Sequence, residues 1–144
     1  MLSDDNKSLQ KRLRDADVLP TLQRMAVATV LLREPRHMTA DQVLRAARDV
    51  LPLISRATVY SVLQLFVRRG LLKELPIDGA ATVYDSTVAP HHHLYNVDTG
   101  EIRDLPDLAV KVDGLPELDA GMVFDEVEVI VRVRQRRPEA TAAA

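Results

Sequence analysis

Ser55-Arg-Ala-Thr-Val-Tyr-Ser-Val-Leu-Gln-Leu-Phe-Val-Arg-Arg-Gly70 is the stretch that decides the fold of this chain of 144 residues. Ser55 is a good N-cap and Gly70 a good C′ residue, so the stretch predicts a helix over residues 56–69. Apolar residues recur at helical spacing and should be buried, namely Val59, Val62, Leu63 and Phe66. Another face is polar and carries Arg56, Thr58, Tyr60, Ser61 and Gln64.

Further helices and a hairpin are predicted around this stretch. We expect helices over residues 8–18, 23–33 and 40–50, the second stopped by Pro35 and the third capped by Thr39. Residues 36–38 are expected to form a loop, and residues 71–75 and 81–85 two short strands. The last three of these four helices, followed by the hairpin, predict a winged helix-turn-helix. Such a fold presents the start of its last helix to the major groove of DNA. On pattern alone, an ordinary surface helix is an equal alternative.

The composition narrows the class of protein. Hydrophobic residues make up 47 % of the chain, enough for a packed core, and cysteine is absent. Disulfides, thiolate catalysis and Cys-liganded zinc are therefore excluded. No apolar run is long enough to cross a bilayer and the first residues are acidic and polar, so we expect a cytoplasmic protein without a membrane partner.

The charge differs between the two parts of the chain. Up to Tyr84 there are 13 Lys and Arg against 9 Asp and Glu, and from Asp85 onward there are 6 against 12, which gives the net charge of −2. A basic first part and an acidic second part indicate that only the first part meets a polyanion.

The run Pro90-His-His-His-Leu-Tyr95 holds three of the four histidines, and Asp85 and Asp104 bracket it. Imidazole nitrogens beside carboxylate oxygens form a ligand set for a divalent first-row metal such as Fe, Mn or Zn. If residues 91–97 form a strand, His91 and His93 point to one face and His92 to the other. The alternative is a solvent-facing polar start of a strand.

Three elements of the sequence resemble the DNA-binding domain of the ferric uptake regulator (Fur) superfamily. They are Thr39-Ala-Asp-Gln-Val-Leu, Ser55-Arg-Ala-Thr-Val-Tyr-Ser-Val-Leu and Gly70-Leu-Leu-Lys-Glu-Leu. Tyr84-Asp85 and His91-His-His93-Leu-Tyr, with the later Gly100-Glu-Ile, resemble the hinge and dimerisation domain of the same family. The resemblance covers roughly residues 20–133. It implies a homodimeric, metal-dependent transcription factor that binds a double-stranded DNA operator.

The resemblance also implies the roles of individual residues. In the peroxide-sensing (PerR) branch, one regulatory ion is bound at positions that correspond here to His37, Asp85, His91, His93 and Asp104. One ion with ligands from both halves would fix the angle between the two domains and favour the DNA-competent shape. For DNA contacts we expect the residues Arg24, Arg56, Thr58, Tyr60, Ser61 and Gln64.

Departures from the family pattern indicate a subgroup. Asn96 and Thr99 stand where the family usually has its first Cys-x-x-Cys pair, and nothing replaces the second pair, so a structural zinc site is not expected. Cysteine-free members with three adjacent histidines resemble the iron response regulator (Irr) branch. This resemblance implies control of iron or haem homeostasis, with Fe or Mn as the ion and zinc able to bind in vitro. Haem is a further candidate cofactor, with His92 as its axial ligand or as the ligand of a second metal.

The expected fold is α+β. A winged helix-turn-helix DNA-binding domain over residues 1–84 is followed by a hinge over 85–90 and a C-terminal α/β dimerisation and metal-sensing domain over 91–134. The alternating run over residues 122–134 is expected to be a strand of the dimer interface, and residues 135–144 a disordered tail.

Three other functions compete with a metal-dependent regulator of iron homeostasis. The first is a peroxide-sensing repressor that acts by metal-catalysed histidine oxidation. The second is a small metalloenzyme. The sequence has no nucleophile motif and no glycine-rich phosphate loop, which argues against an enzyme. The third is a winged-helix protein that binds DNA without any ion.

Overall fold

A computed structural model of the chain describes residues 2–138, and the chain divides into two compact units, Met1–Val88 and Ala89–Ala144. Helices and strands are both present, so the predicted α+β class is confirmed. Over the described residues, no helix is long and apolar enough to span a bilayer.

The first unit contains four helices and one three-stranded sheet. In chain order these are α1 Leu2–Asp15, α2 Leu22–Leu31, β1 His37–Thr39, α3 Ala40–Val50, α4 Arg56–Arg68, β2 Lys73–Leu75 and β3 Val83–Asp85. The sheet order is β1-β3-β2, and both pairings are antiparallel. Helices α2, α3 and α4 with the β2–β3 hairpin form the predicted winged helix-turn-helix.

Capping side chains explain where the helices begin. Thr39 accepts a hydrogen bond from the N–H of Gln42, and the Gln42 side chain accepts one from the N–H of Thr39, which completes a capping box. Ser55 caps α4 by accepting from the N–H of Thr58. Gly70 ends α4 with φ of 72°, a left-handed conformation that suits glycine.

The apolar face of α4 is buried as predicted. Val59, Leu63 and Phe66 are fully inaccessible and Val62 is 6 % exposed. They join a cluster that includes Val27 and Leu31 of α2. Burial of this face leaves Arg56, Tyr60 and Ser61 exposed on the polar side of α4.

Two predictions in the first unit were wrong, one in the bounds of a helix and one in the type of element. The first helix covers Leu2–Asp15 instead of residues 8–18, and Asp17 has a positive φ of 58° that ends it. Residues 36–38 are not simply a loop, because β1 begins at His37 and pairs with β3. A three-residue strand whose partner lies more than forty residues away leaves no periodic signal in the sequence.

The second unit is described as a small mixed sheet. Its strands are β4 His93–Asn96, β5 Ile102–Asp104 and β6 Ile130–Val133, in the order β5-β4-β6. Strand β5 is antiparallel to β4, whereas β6 is parallel to it. Between residues 89 and 138 the structure has no helix, so the helices that the structure describes belong to the first unit.

Only the last part of the expected strand over residues 122–134 is a strand. It pairs with β4 at four positions, from His93 opposite Ile130 to Asn96 opposite Val133. The four residues of β4 pair with residues 130–133, and residues 122–129 have no regular structure, although the Val129 carbonyl still accepts a hydrogen bond from the N–H of His93. Residues 135–138 are exposed without regular structure, and the rest of the expected tail lies outside the described residues.

Candidate metal and DNA-binding sites

In the first unit, His37 and Asp85 are direct neighbours across two strands. They are register partners in the β1–β3 pair, and the His37 Nε2 atom lies 3.2 Å from Asp85 Oδ2. The Asp85 side chain is 1 % exposed and its Oδ1 accepts a hydrogen bond from the N–H of Thr87. A carboxylate buried to this degree needs a compensating charge or donors, and a metal ion would supply such a charge.

A second set of contacts holds β1 and the end of β3 together. The Ser86 hydroxyl accepts a hydrogen bond from the N–H of Arg36, and the N–H of Ser86 donates to the Arg36 carbonyl. These two bonds extend the strand pairing on the side of His37 and Asp85. The backbone that carries both side chains is therefore held on each side of the pair.

In the second unit, His93 and Asp104 are likewise register partners across two strands. The His93 Nε2 atom lies 3.5 Å from Asp104 Oδ1, and the His91 Nε2 atom lies 3.0 Å from the same oxygen. The two imidazole rings have centroids 4.2 Å apart. His93 is 1 % exposed and Asp104 is 40 % exposed, so the carboxylate lies at the accessible side of the cluster.

Glu128 belongs to this cluster, although the sequence did not single it out. Its Oε1 atom lies 3.0 Å from His93 Nδ1, on the other side of the imidazole ring from Asp104. The signal available in the sequence was the alternation of Glu126, Val127 and Glu128 just before β6. Because β6 is parallel to β4, a residue just before β6 lies near the start of β4, where His93 is.

His92 differs from its two neighbours. Its Nδ1 atom accepts a hydrogen bond of 3.0 Å from the N–H of Val129, and its carbonyl accepts one from the N–H of Leu105. His92 therefore joins the start of β4 to the chain segments next to both neighbouring strands.

Each unit thus carries donors of the kind that divalent metals prefer. Neutral imidazole nitrogens and carboxylate oxygens are ligands for Fe, Mn and Zn, and the first unit offers one of each. The second unit offers two imidazoles and the carboxylate of Asp104. The residues present therefore fit a divalent ion chemically.

The polar face of α4 has an exposed aromatic residue and a paired arginine. Tyr60 is 41 % exposed, which is high for a large aromatic side chain. Arg56 forms an ion pair with Asp41 of α3, and the hydrogen bond from this pair raises the pKa of the Arg56 guanidinium. Asp41 thereby holds the arginine at the start of α4.

Gln64 is tied to the hairpin. Its side-chain amide donates to Glu74 Oε1 at 3.0 Å and to the Tyr84 hydroxyl at 3.3 Å. Glu74 and Tyr84 are register partners in the β2–β3 hairpin. Sequence spacing placed Gln64 on the polar face of α4, but the structure engages its amide with the wing.

The remaining expected DNA contacts line one open groove of about 320 Å³ between α2 and α4. Arg24, Thr58 and Ser61 are on its wall, as is Arg68 from the last turn of α4, which the sequence had not singled out. The Arg24 guanidinium also donates to the Leu19 carbonyl at 3.0 Å. Arginine guanidinium groups beside hydroxyl groups form a lining suited to a phosphate backbone.

Comparison with known proteins gives consistent matches. The model of the Ferric uptake regulator family matches residues 16–118. The chain is 33 % identical over 104 residues to the Peroxide operon regulator of Bacillus subtilis (strain 168), covering 72 % of each chain. It is 33 % identical over 122 residues to the Transcriptional regulator FurA of Mycobacterium tuberculosis (strain ATCC 25618 / H37Rv), covering 83 % of this chain and 82 % of that one.

A solved structure also resembles the chain. The ferric uptake regulator of Pseudomonas aeruginosa with manganese superposes with a TM-score of 0.65 at 26 % identity, covering 89 % of this chain and 98 % of that one. A winged helix-turn-helix followed by a strand-rich unit with a histidine cluster is the arrangement of a class of transcriptional regulators. This chain belongs to the ferric uptake regulator family. The prediction of a regulator rather than an enzyme is confirmed.

Proposed function

We propose that this protein is a metal-dependent transcriptional regulator that binds an operator in double-stranded DNA and responds to iron or manganese. The observation that carries the proposal is the pairing of histidine with aspartate across neighbouring strands. It occurs in the first unit as His37 with Asp85 and in the second as His93 with Asp104. Both pairs use the residue types of a divalent-metal site, and by the resemblance to the peroxide-sensing branch both correspond to its ligand positions.

The proposed ligands of the regulatory ion are His37, Asp85, His91, His93 and Asp104. In support, the buried carboxylate of Asp85 lies 3.2 Å from His37, and Asp104 lies within 3.5 Å of two histidine Nε2 atoms. When bound, the ion supplies positive charge beside these carboxylates. Fe and Mn are the proposed physiological ions, and zinc binds such donors in vitro.

The proposed DNA contacts are made by the start of α4 and the adjoining groove, through Arg24, Arg56, Thr58, Tyr60 and Ser61. Exposure of Tyr60 and the two arginines of the groove support this surface. Gln64 is proposed to act through the wing and not on a base. The protein is further proposed to act in the cytoplasm as a homodimer, whose two recognition helices read two half-sites.

The proposal is tested by measuring DNA affinity with and without Mn²⁺. One set of duplexes is selected from a random pool in the presence of Mn²⁺, and a second set in its absence. The two sets serve as probes whether Mn²⁺ strengthens or weakens DNA binding. We expect the wild type to distinguish the two conditions by at least about fivefold, the lower end of typical coupling. His91→Ala/His93→Ala should give equal affinities in both conditions. Equal affinities for the wild type would reject metal control.

A second candidate, a peroxide-sensing repressor, is favoured by the likeness to the Peroxide operon regulator of Bacillus subtilis. Here the bound Fe²⁺ would direct oxidation onto a histidine ligand. Mass spectrometry after treatment with Fe²⁺ and peroxide should then find an oxygen adduct on His37 or His91, and treatment with Mn²⁺ and peroxide should not produce it. Unmodified histidines in both samples would reject this candidate.

We further propose a more specific function for this protein, namely a role in iron or haem homeostasis as in the iron response regulator branch. It rests on the three adjacent histidines and the absence of cysteine. An optical titration with haem tests it, since ligation of the haem iron by histidine shifts the Soret band. A titration identical to that of free haem would reject haem as the signal.

A further inference from the structure

The ion pair between Arg56 and Asp41 joins the start of α4 to the start of α3. Arg56 is the first residue of α4, and Asp41 lies in the first turn of α3. The Nη1 group of Arg56 donates to Asp41 Oδ1. The two side chains are 60 % and 58 % exposed, and both belong to the first compact unit. The pair therefore lies at the end of α4 that is proposed to enter the major groove.

Folding stability is a weak explanation for this pair. Exposed ion pairs contribute little, because water screens the attraction and two long side chains lose freedom. A carboxylate at this place also repels the phosphates of DNA, whose attraction to cations supplies the affinity that is independent of sequence. Asp41 can therefore favour DNA binding only where a held arginine binds better than a free one.

Guanine is a partner for which a held arginine binds better. Its O6 and N7 atoms are adjacent acceptors in the major groove, and two N–H groups of one guanidinium match them. Asp41 engages Nη1 of Arg56, while Nε and Nη2 carry further N–H groups that can donate to such acceptors. Because the guanidinium is planar and rigid, a partner that fixes one edge also fixes the direction of the other edge.

The surroundings of the pair place it beside the proposed DNA-binding surface. Tyr60 lies one turn further along α4 and, after the larger contribution of Asp41, also raises the pKa of Arg56. Asp41 and Tyr60 line an open cleft of about 190 Å³, which Ala81 and Thr82 of the segment before β3 also line. Asp41 is thus close to an aromatic residue that is proposed to contact DNA.

We propose that Asp41 is a positioning residue that orients Arg56 to bind a guanine base in each half-site of the operator. The inference rests on the proposed function, and it adds the base that the start of α4 recognises and a residue outside the DNA contacts. Asp41 lowers the affinity for arbitrary duplexes and raises the preference for guanine. Its two effects on DNA binding therefore have opposite signs.

Three variants separate these effects. Asp41→Asn keeps the size of the side chain and removes the charge that holds Arg56, and Arg56→Ala removes the guanidinium itself. Glu74→Gln is the matched control, because Glu74 is exposed in the same unit and accepts from the neutral amide of Gln64. This change removes one negative charge, keeps an accepting oxygen for the amide and frees no arginine.

The first test repeats the selection from a random duplex pool with the full-length wild type and each variant, in the Mn²⁺ condition that gives the higher affinity. We expect the wild type to select a G·C pair whose preference is lost in Arg56→Ala. In Asp41→Asn the preference should fall about 2–5-fold, which corresponds to the coupling of an exposed ion pair. Glu74→Gln should keep the preference and bind all duplexes more tightly. Urea unfolding checks that every variant is folded.

The second test replaces the selected guanine with 7-deazaguanine, which still pairs with cytosine but lacks the N7 acceptor. In a fluorescence anisotropy titration, the wild type should lose at least about fivefold in affinity, the lower end of the discrimination by a bidentate contact. This loss should be about 2–5-fold smaller in Asp41→Asn, absent in Arg56→Ala and unchanged in Glu74→Gln. Equal losses in wild type and Asp41→Asn would overturn the role of Asp41, and equal losses in wild type and Arg56→Ala would overturn the guanine contact.

The remaining outcomes separate this inference from the proposed function. A selected sequence without a G·C pair that is sensitive to Arg56→Ala would overturn the inference and leave a DNA-binding regulator in place. The same change of base preference in Glu74→Gln and Asp41→Asn would overturn it as well, because charge alone would then explain the effect. A wild type that selects no sequence, with or without Mn²⁺, would reject the proposed function and this inference with it.

Discussion

Replacing Gln64 with alanine separates two roles for a residue that the sequence assigns to DNA. In the structure, its amide donates to the Tyr84 hydroxyl and to Glu74, and so joins α4 to the wing. If this is its role, Gln64→Ala should affect the folded protein before any DNA is added. If Gln64 reads a base, the loss should appear only in the complex with DNA.

The structure sets the size of the expected effect. Tyr84 is 4 % exposed, so its hydroxyl would lose a partner in a place that water reaches poorly. A hydrogen bond of this kind contributes about 0.5–1.5 kcal/mol net, while the bond to the exposed Glu74 is screened and adds little. We therefore expect Gln64→Ala to lower the free energy of unfolding by about 1 kcal/mol.

Urea unfolding of the metal-free protein measures this loss, and a double-mutant cycle with Tyr84→Phe assigns it to the pair. The cycle should give a coupling energy of about 0.5 kcal/mol or more, since both single changes remove the same bond. Unchanged stability, together with a loss of about 1–3 kcal/mol in DNA affinity and a new preference at one base pair, would instead show that Gln64 contacts a base.

Three further predictions follow from particular side chains. Tyr60→Ala should weaken specific DNA binding by about 1–3 kcal/mol without loss of folding stability, because Tyr60 is exposed on α4. A fluorescence anisotropy titration measures this affinity, and an unchanged value would show that Tyr60 does not belong to the DNA-binding surface. Thr39→Ala should cost about 1 kcal/mol in urea unfolding, since it breaks the capping box of α3, whereas Thr39→Ser should cost much less. Burial raises the pKa of the Tyr84 phenol, with a further contribution from Glu74. The stability that this shift contributes is complete below the unfolded pKa of about 10 and is lost as pH rises through the folded pKa, so Tyr84→Phe should decline less steeply than wild type above about pH 10. Equal slopes would contradict it.

The winged helix was predictable because its signals are local. Thr39 and Gln42 specify the start of α3, and Gly70 specifies the end of α4. The apolar residues of α4 recur every three or four positions, which fixes the buried face from sequence alone. No knowledge of distant contacts is needed for any of these features.

Contacts between distant segments could not be predicted in this way. Strand β1 exists because His37 to Thr39 pair with β3, and Glu128 meets His93 because β6 is parallel to β4. Both depend on which strands become neighbours, and a period of two along one strand does not specify its partner. Gln64 is a similar case, since helical spacing gives its face but not the wing residues that its amide reaches.

In the proposed function, metal binding and DNA binding are coupled, and coupling between two ligands is reciprocal. The most direct measurement is therefore the Mn²⁺ affinity of the protein by itself and of its complex with a selected duplex. We expect the two affinities to differ by about 5–150-fold, and by the same factor by which Mn²⁺ changes the affinity for DNA. Identical Mn²⁺ affinities with and without DNA would contradict it.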